Sequence, residues 1–405
     1  MEGTTNLMKC PDVMQINQYK TLVINKKSES FVVYKIPLKY LFYNDKNDRI
    51  STEIVRYANE NKMPIPDDRE EYNDVFEKLI YESKPDALDK TMKSIETRGQ
   101  DNPGVVLHDG RIIDGNRRFT CLRKIQKKTN IEQCFNAVIL EYDYTDNYKL
   151  IKALELELQM GVEGPVDYDP IDRLFGIYNS IRIQKAFSPE EYAALFDDLS
   201  PADIRKKLGL ADLMCEYLDF IGSPGKYYIA KDMKLDGVLN EIPAVLSNVK
   251  KRYPDLVDKT KTFIFTLILN NVDGQINVFV RNLKNIIEYG DYPKLLEDTE
   301  EPMQRTIDLI DENKINSAQD VADRICNHKE ISEALKEAVS SEQGVVAIKK
   351  TTGAPIKRLR EAKQALQAIE PASVSEMSSE DMERAQELIG AINKMLKKIS
   401  EQIEP

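Results

Sequence analysis

Apolar residues along this chain change their spacing several times, and each change marks an element. Residues 1–29 are polar and read as an arm or an edge strand. "SFVVYKIPLKYLFYNDKNDRI" (Ser30–Ile50) then reads as a strand, a short helical turn at Pro37–Leu41 and a polar loop carrying Arg49. Residues 51–85 look like an inserted helical or loop segment, broken by Pro64 and Pro66. In "ALDKTMKSIETRG" the residues Leu88, Met92 and Ile95 share one helical face and Gly99 supplies the stop. Val105, Val106 and Leu107 lead as a short strand into the Asp109-Gly110 turn, Ile112 and Ile113 return from it, and Gly115 ends the hairpin. Phe119, Leu122 and Ile125 resume helical spacing, which starts a helix near Arg117. A strand over Ala137–Tyr142 and a helix rich in Leu and Glu, "YKLIKALELELQMG", come next.

Beyond that point the pattern is helical. "SPADIRKKLGLADLMCEYLDFI" has the grammar of a helix-turn-helix: Ser200-Pro201 opens a helix, Leu208-Gly209-Leu210 makes the turn, and Ala211–Ile221 forms the second helix. Residues 225–340 carry apolar clusters at Ile264–Leu269 and Ile276–Val280. From Glu380 on, Met382, Ala385, Ile389, Ile392, Leu396, Ile399 and Ile403 recur in steps of three and four, a heptad seam behind a Ser378/Asp381 capping pair. A helix over Ile356–Ile369 precedes it, so the seam serves either a hairpin within the chain or a dimer.

Composition narrows the classes. The 405 residues have room for two or three domains; 31% are charged and 41% hydrophobic, as in ordinary globular proteins, and the net charge of −11 excludes a uniformly basic nucleic-acid coat. Five scattered cysteines and two histidines, His108 and His328, argue against zinc. No apolar run spans a bilayer and no signal core opens the chain, so the expectation is a cytoplasmic protein with reduced thiols and no membrane partner.

The candidate chemistry lies in "DGNRRF". Arg117 and Arg118 fall in the first turn of a helix, where the macrodipole is already positive and backbone N–H groups lack partners. Two guanidinium groups there suit a bound anion such as phosphate. The structural alternative is pairing with a carboxylate such as Asp114 or Glu157.

The order Ile36-Pro37-Leu38 through Asn44 and Arg49, a helix ending in Gly99, then "NPGVVLHDGRIIDGNRRFTCLRKI", resembles the amino-terminal domain of the ParB/sulfiredoxin superfamily. The stretch from Asp169-Pro170-Ile171 to Gly222 is similar to the helix-turn-helix domain of ParB proteins. The fold implied is an α+β ParB/sulfiredoxin-like domain followed by a mostly α-helical region, with a degenerate helix-turn-helix and a C-terminal helical hairpin or coiled coil. The domains expected are an arm (1–29), a nucleotide-binding domain (30–165), a helix-turn-helix domain (166–225), a helical domain (226–345) and the C-terminal hairpin or coiled coil (346–405).

The resemblance also implies roles. Gly99, Gln100 and Asn102 would lie at the base of a nucleotide; Asp114, Gly115, Asn116, Arg117 and Arg118 would cradle its phosphates, with Arg49 nearby. Glu157 matches the family's metal and catalytic carboxylate, although Leu158 and Met160 replace the Asn and Arg of that motif. The sulfiredoxin reaction is disfavoured, because Asn116 stands where its cysteine would be, and Cys121 reads as core. The resemblance thus implies a ParB-like protein of a bacterium, phage or mobile element that binds CTP or ATP, with or without Mg2+, and couples that state to homodimerisation and to DNA. The alternatives are a nucleotide-dependent enzyme (a weak NTPase, a small-molecule kinase or a nuclease) and a scaffold of a phage-defence system with a vestigial pocket. DNA contact would run through Arg205, Lys206 and Lys207, because the expected second helix carries Asp212, Glu216 and Asp219 and no cation.

Overall fold

The computed structural model describes residues 6–24, 27–162, 169–272, 274–369, 374 and 377–403. Two compact units divide the chain, 1–284 with 296–337 and 285–295 with 338–405. The first contains a five-stranded mixed sheet of β1 (Met14–Ile24), β2 (Lys27–Pro37), β3 (Gly104–Leu107), β4 (Ile112–Asp114) and β5 (Cys134–Leu140), in the order β1-β2-β5-β3-β4. β3 runs parallel to β5, and the other neighbours are antiparallel. Helices α1 (Ser51–Glu60), α2 (Arg69–Ser83), α3 (Pro85–Arg98), α4 (Asn116–Thr129) and α5 (Tyr148–Val162) complete this part.

The two-residue period of the strands divides their apolar side chains between two cores. Val106, Ile112, Ala137 and Ile139 face one way and pack with Tyr72, Phe76, Leu88, Phe119 and Leu122 of α2, α3 and α4. Val105, Leu107, Ile113, Val138 and Leu140 face the other way and pack with Ile151 and Leu154 of α5. A sheet covered on both faces explains why β3 and β5 read as continuous apolar runs.

Two readings of the amino-terminal region are sharpened. The polar arm contains a true edge strand, β1, paired with β2 from Met14 opposite Lys35 to Ile24 opposite Lys27. The segment read as an insertion is two helices, and Tyr72 and Phe76 of α2 are buried in the main core. The prolines at 64 and 66 fall in the link between them, where Asp68 caps α2 by accepting from the Glu71 backbone N–H.

The remaining helices are α6 (Pro170–Tyr178), α7 (Pro189–Ala193), α8 (Pro201–Phe220), α9 (Tyr227–Asp232), α10 (Asp236–Arg252), α11 (Val257–Leu269), α12 (Ile276–Tyr289), α13 (Tyr292–Asp298), α14 (Glu300–Glu312), α15 (Ala318–Arg324), α16 (Lys329–Gln367) and α17 (Ser379–Ile403). Leu156 of α5 shares a cluster with Ile177, Phe187, Tyr192, Ile204 and Leu208, which joins the sheet domain to α6, α7 and α8. A second tie is ionic. Asp172 of α6, 1% exposed, accepts from Thr52 Oγ1 of α1 at 2.6 Å and from Lys231 Nζ of α9 at 2.8 Å.

The turn expected at Leu208-Gly209-Leu210 is absent. Ile204, Leu208, Ala211, Met214 and Leu218 form one unbroken buried stripe along α8, and that burial outweighs the small helix penalty of an exposed Gly209. The Ser200 start is where it was expected, with a capping box closed by Asp203. A helix pair joined by a short link is therefore α7 with α8, one helix earlier than the sequence pattern indicated, and α7 has its own Ser188/Glu191 capping box. The acidic residues of α8 are largely paired: Asp212 with Arg182 at 3.0 Å and Glu216 with Lys261 at 2.6 Å.

In the second unit α16 continues through Pro355, so no separate helix starts at Ile356. Ser378 Oγ accepts from the Asp381 backbone N–H ahead of α17, as the capping pair implied. Leu396 of α17 lines one shallow cavity with Leu359, Ala362 and Leu366 of α16, while Met382, Leu388, Ile389 and Met395 stay exposed. All five cysteines are free, and among the described residues no helix is long and apolar enough to cross a membrane.

A continuous α8 has a direct consequence for stability. A Cβ at Gly209 would meet nothing within 4 Å. Gly209→Ala should therefore raise stability by about 0.5–1 kcal/mol in urea unfolding. A loss of stability would mean that Gly209 sits in a turn.

Candidate functional site

The hairpin and α4 build the site. Gly115 links β4 to α4 with φ +103°, and a Cβ there would lie 2.7 Å from the Phe135 ring, so the position requires glycine twice over. Having no side chain, Gly115 gives α4 no capping hydrogen bond. The first intrahelical bond runs from the Phe119 N–H to the Gly115 carbonyl at 2.9 Å, so the N–H groups of residues 116–118 point out of the helix end. The first turn holds no acidic residue.

These groups open on a cavity of about 250 Å³. Asp114, Gly115, Asn116, Arg117 and Arg118 form one wall, and Asn102 adjoins them. Arg49 enters from the turn that carries Asn47 and Ile50; the end of α2 and the middle of α3 contribute Ile80, Ser83 and Thr91. Asn116 Oδ1 is buried at this wall without a hydrogen-bond partner, an acceptor still owed a donor. Asn47, Ser83 and Thr91 were not expected here: Ser83 fell in the segment read as an insertion, Asn47 in a polar loop and Thr91 on an amphipathic helix.

The two arginines of the box are not equivalent. Arg118 donates from Nη1 to the Asn102 carbonyl and from Nη2 to Asp114 Oδ2 at 3.1 Å, which is the structural pairing considered for it. Arg117 lines the cleft beside it.

Three expected residues lie elsewhere. Glu157 lines a separate cavity of about 570 Å³, with Val23, Leu150, Phe187 and Leu195, while its neighbour Leu158 reaches the cleft. The 100° step per helical residue turns adjacent side chains of α5 onto different faces, so Leu158 and Glu157 line different cavities. Gln100 is consumed by the backbone: its Nε2 donates to the carbonyls of Asn136 at 2.7 Å and Asn102 at 3.0 Å, and its Oε1 accepts from the Asn136 N–H at 2.8 Å. Gly99, at φ +78°, ends α3 and does not line the cavity. Cys121 is core, its thiol pushed up to about 12 chiefly by burial.

A buried ion cluster under the Arg49 turn had no clear sequence signal. Lys152 of α5, 2% exposed, lies 2.9 Å from Asp48 and 3.2 Å from Glu155 and donates to the Lys46 carbonyl at 3.0 Å. Asn44 Nδ2 donates to Glu155 at 3.4 Å. Burial raises the Glu155 carboxyl to about 7; Lys152 opposes that rise, Asp48 adds to it, and Arg49 draws it back down.

Among the described residues, the lining of the cleft holds one carboxylate that could meet a magnesium ion. Its carboxylate, Asp114, already accepts from Lys20 and Arg118. Among the described residues no group of three or more metal-ligating side chains comes together.

The raised Glu155 carboxyl fixes a pH dependence. Its ordinary value is 4.5 and its folded value about 7, so the folded state holds the extra proton between them and stability falls as pH rises through that window. Asp172, raised to about 6 chiefly by burial, adds a slope of the same sign. Glu155→Gln should remove on the order of 1–3 kcal/mol of the wild-type difference in unfolding free energy between mildly acidic and mildly alkaline buffer. An unchanged slope would show that Glu155 stays ionised throughout.

No family model matches the chain, and no curated protein matches it. Among solved structures the chain is similar to one described as the C2221 form of a Pnob8-like ParB-N domain, at 14% identity over 67% of this chain and 99% of that one, with a TM-score of 0.31.

Proposed function

We propose that this chain is a ParB-like protein whose cleft binds a nucleoside triphosphate, CTP or ATP. The observation that carries this reading is the uncapped amino terminus of α4, open to a cavity lined by Arg49, Arg117 and Arg118. Outward N–H groups, the positive end of the helix dipole and guanidinium groups together favour a polyanion. The orphaned Asn116 Oδ1 suits a donor from the ligand, such as a sugar hydroxyl or an exocyclic amine. Phosphates would occupy the box, and the base would extend toward Asn102 and the α2–α3 wall.

Binding without efficient turnover fits this arrangement best. Asp114 is neutralised by two cations and Glu157 lines another cavity, so among the described residues the cleft lining holds no carboxylate free to act as a general base. That weighs against the kinase, nuclease and NTPase alternatives.

Two further roles rest on separate observations. Self-association as a homodimer would use the exposed apolar residues of α17. DNA contact would use the amino-terminal half of α8, which carries Arg205, Lys206 and Lys207; burial lowers the Lys207 ammonium first, and the nearby charges of Arg173 and Lys206 lower it further. Arg205 is bound to Glu190, so Lys206 and Lys207 would carry more of any phosphate contact.

Calorimetric titration with CTP, ATP and GTP tests the central reading. The wild type should bind at least one of them, and Arg117→Ala should weaken that binding by about 10–100-fold while leaving the melting temperature near wild type. Glu157→Gln should change affinity by less than about twofold. A wild type that binds none of the three at millimolar concentration, roughly −4 kcal/mol, would overturn the nucleotide reading. Duplex binding at low salt should vanish on charge reversal of Arg205, Lys206 and Lys207, and a site-specific shift that survives the reversal would exclude that surface.

A further inference from the structure

β1 alternates as a half-covered strand should, with Ile16, Leu22 and Ile24 packed on the α5 face of the sheet. Lys20 occupies the same register, so a cation stands at an inward position among apolar residues. Its side chain is 15% exposed. Its ammonium donates to the Pro103 carbonyl at 2.6 Å and to Asp114 Oδ2 at 3.1 Å. Oδ2 is the oxygen that also accepts from Arg118 Nη2 at 3.1 Å. An ion relay therefore runs from the amino-terminal hairpin through Asp114 to the first turn of α4, ending at the proposed anion pocket.

Stability alone gives little reason for a lysine here. A partly buried ion pair roughly balances its desolvation, and an apolar side chain of similar length would pack among Ile16, Leu22 and Ile24. The relay acts on charge instead. Without Lys20, the Asp114 carboxylate would face a polyphosphate with one counterion fewer and would lean more heavily on Arg118. Asp114 and the ligand would then compete for one guanidinium, and the carboxylate would repel the ligand across a short distance of low effective dielectric.

We propose that Lys20 is a positioning residue for the nucleotide pocket: it neutralises Asp114 so that Arg118 and the end of α4 present net positive charge to the ligand's phosphates. This rests on the nucleotide reading and adds to it a contribution from the edge hairpin. Lys20 touches neither phosphate nor base.

The full-length chain and its variants Lys20→Met, Lys20→Arg, Asp114→Asn and Lys20→Met/Asp114→Asn are titrated by calorimetry with CTP, ATP and inorganic triphosphate, with melting curves recorded in parallel. Lys20→Met should lose on the order of tenfold in affinity, for the nucleotide and for inorganic triphosphate alike, because the effect is on phosphate. Lys20→Arg should recover most of the loss. The double variant should return to within about threefold of wild type, because removing the stranded carboxylate removes the need for its cation. That recovery separates charge from packing, since a purely structural lysine would leave the double variant as weak as Lys20→Met or weaker. If the wild type binds and Lys20→Met binds equally well, the proposal fails while the nucleotide reading stands, and Lys20 is then an inward charge that guards an edge strand. A wild type that binds none of the three ligands removes both.

Discussion

The arrangement of this protein turns on one buried ammonium. Lys152 is sealed from solvent between Asp48 and Glu155, and it also holds the carbonyl of Lys46. The Lys46–Asp48 turn belongs to the sheet domain and α5 covers the sheet, so the contact fixes the turn from which Arg49 projects. Gly176 of α6 lies against Asp48, where a Cβ would come within 3.1 Å of the carboxylate, and that brings the helical region to the same point. Two carboxylates share one ammonium, and a buried excess of negative charge is costly. The protein meets that cost by raising Glu155 and by placing Arg49 near enough to draw it back. Arg49 thus lies beside a buried carboxylate and lines the cleft.

The opposite wall of the cleft is set by backbone chemistry. Glycine at 115 is demanded by a positive φ and by the Phe135 ring, and the same glycine leaves α4 without a cap. Helices usually satisfy their first N–H groups with a side chain. Here the end faces arginines and an unpartnered amide oxygen. The site thus combines a rigid cationic turn, held by Lys152, with a helix end that lacks its usual partner.

Much of the sheet domain was legible because its signals are local. The short apolar runs at Val105–Leu107 and Ile112–Ile113, the turn at Asp109-Gly110 and the resumption of helical spacing at Phe119 marked β3, β4 and α4 within a residue or two. Ser200-Pro201 and Ser378 were read correctly as helix starts, because a capping side chain is a short-range device. The features that escaped depend on tertiary packing. Gly209 was read as a breaker, yet the buried stripe of α8 runs through it. The end of α2 looked like an insertion and α3 like an amphipathic helix, and only the fold brings Ser83 and Thr91 opposite the box. Glu157 and Glu155 differ by two positions in a run of alternating Leu and Glu, and only the fold shows that Glu155 is buried near Arg49 while Glu157 lines another cavity.

If the cleft is one binding site, the 47–50 turn and the amino terminus of α4 act together on a single anionic ligand. Amide hydrogen exchange, measured on the full chain with and without saturating CTP or ATP, addresses this most directly. Exchange should slow at residues 116–118 and, in the same titration, across the Arg49 turn. Protection confined to the cavity lined by Glu157 and Phe187, or bound nucleotide with no change at residues 116–118, would contradict it.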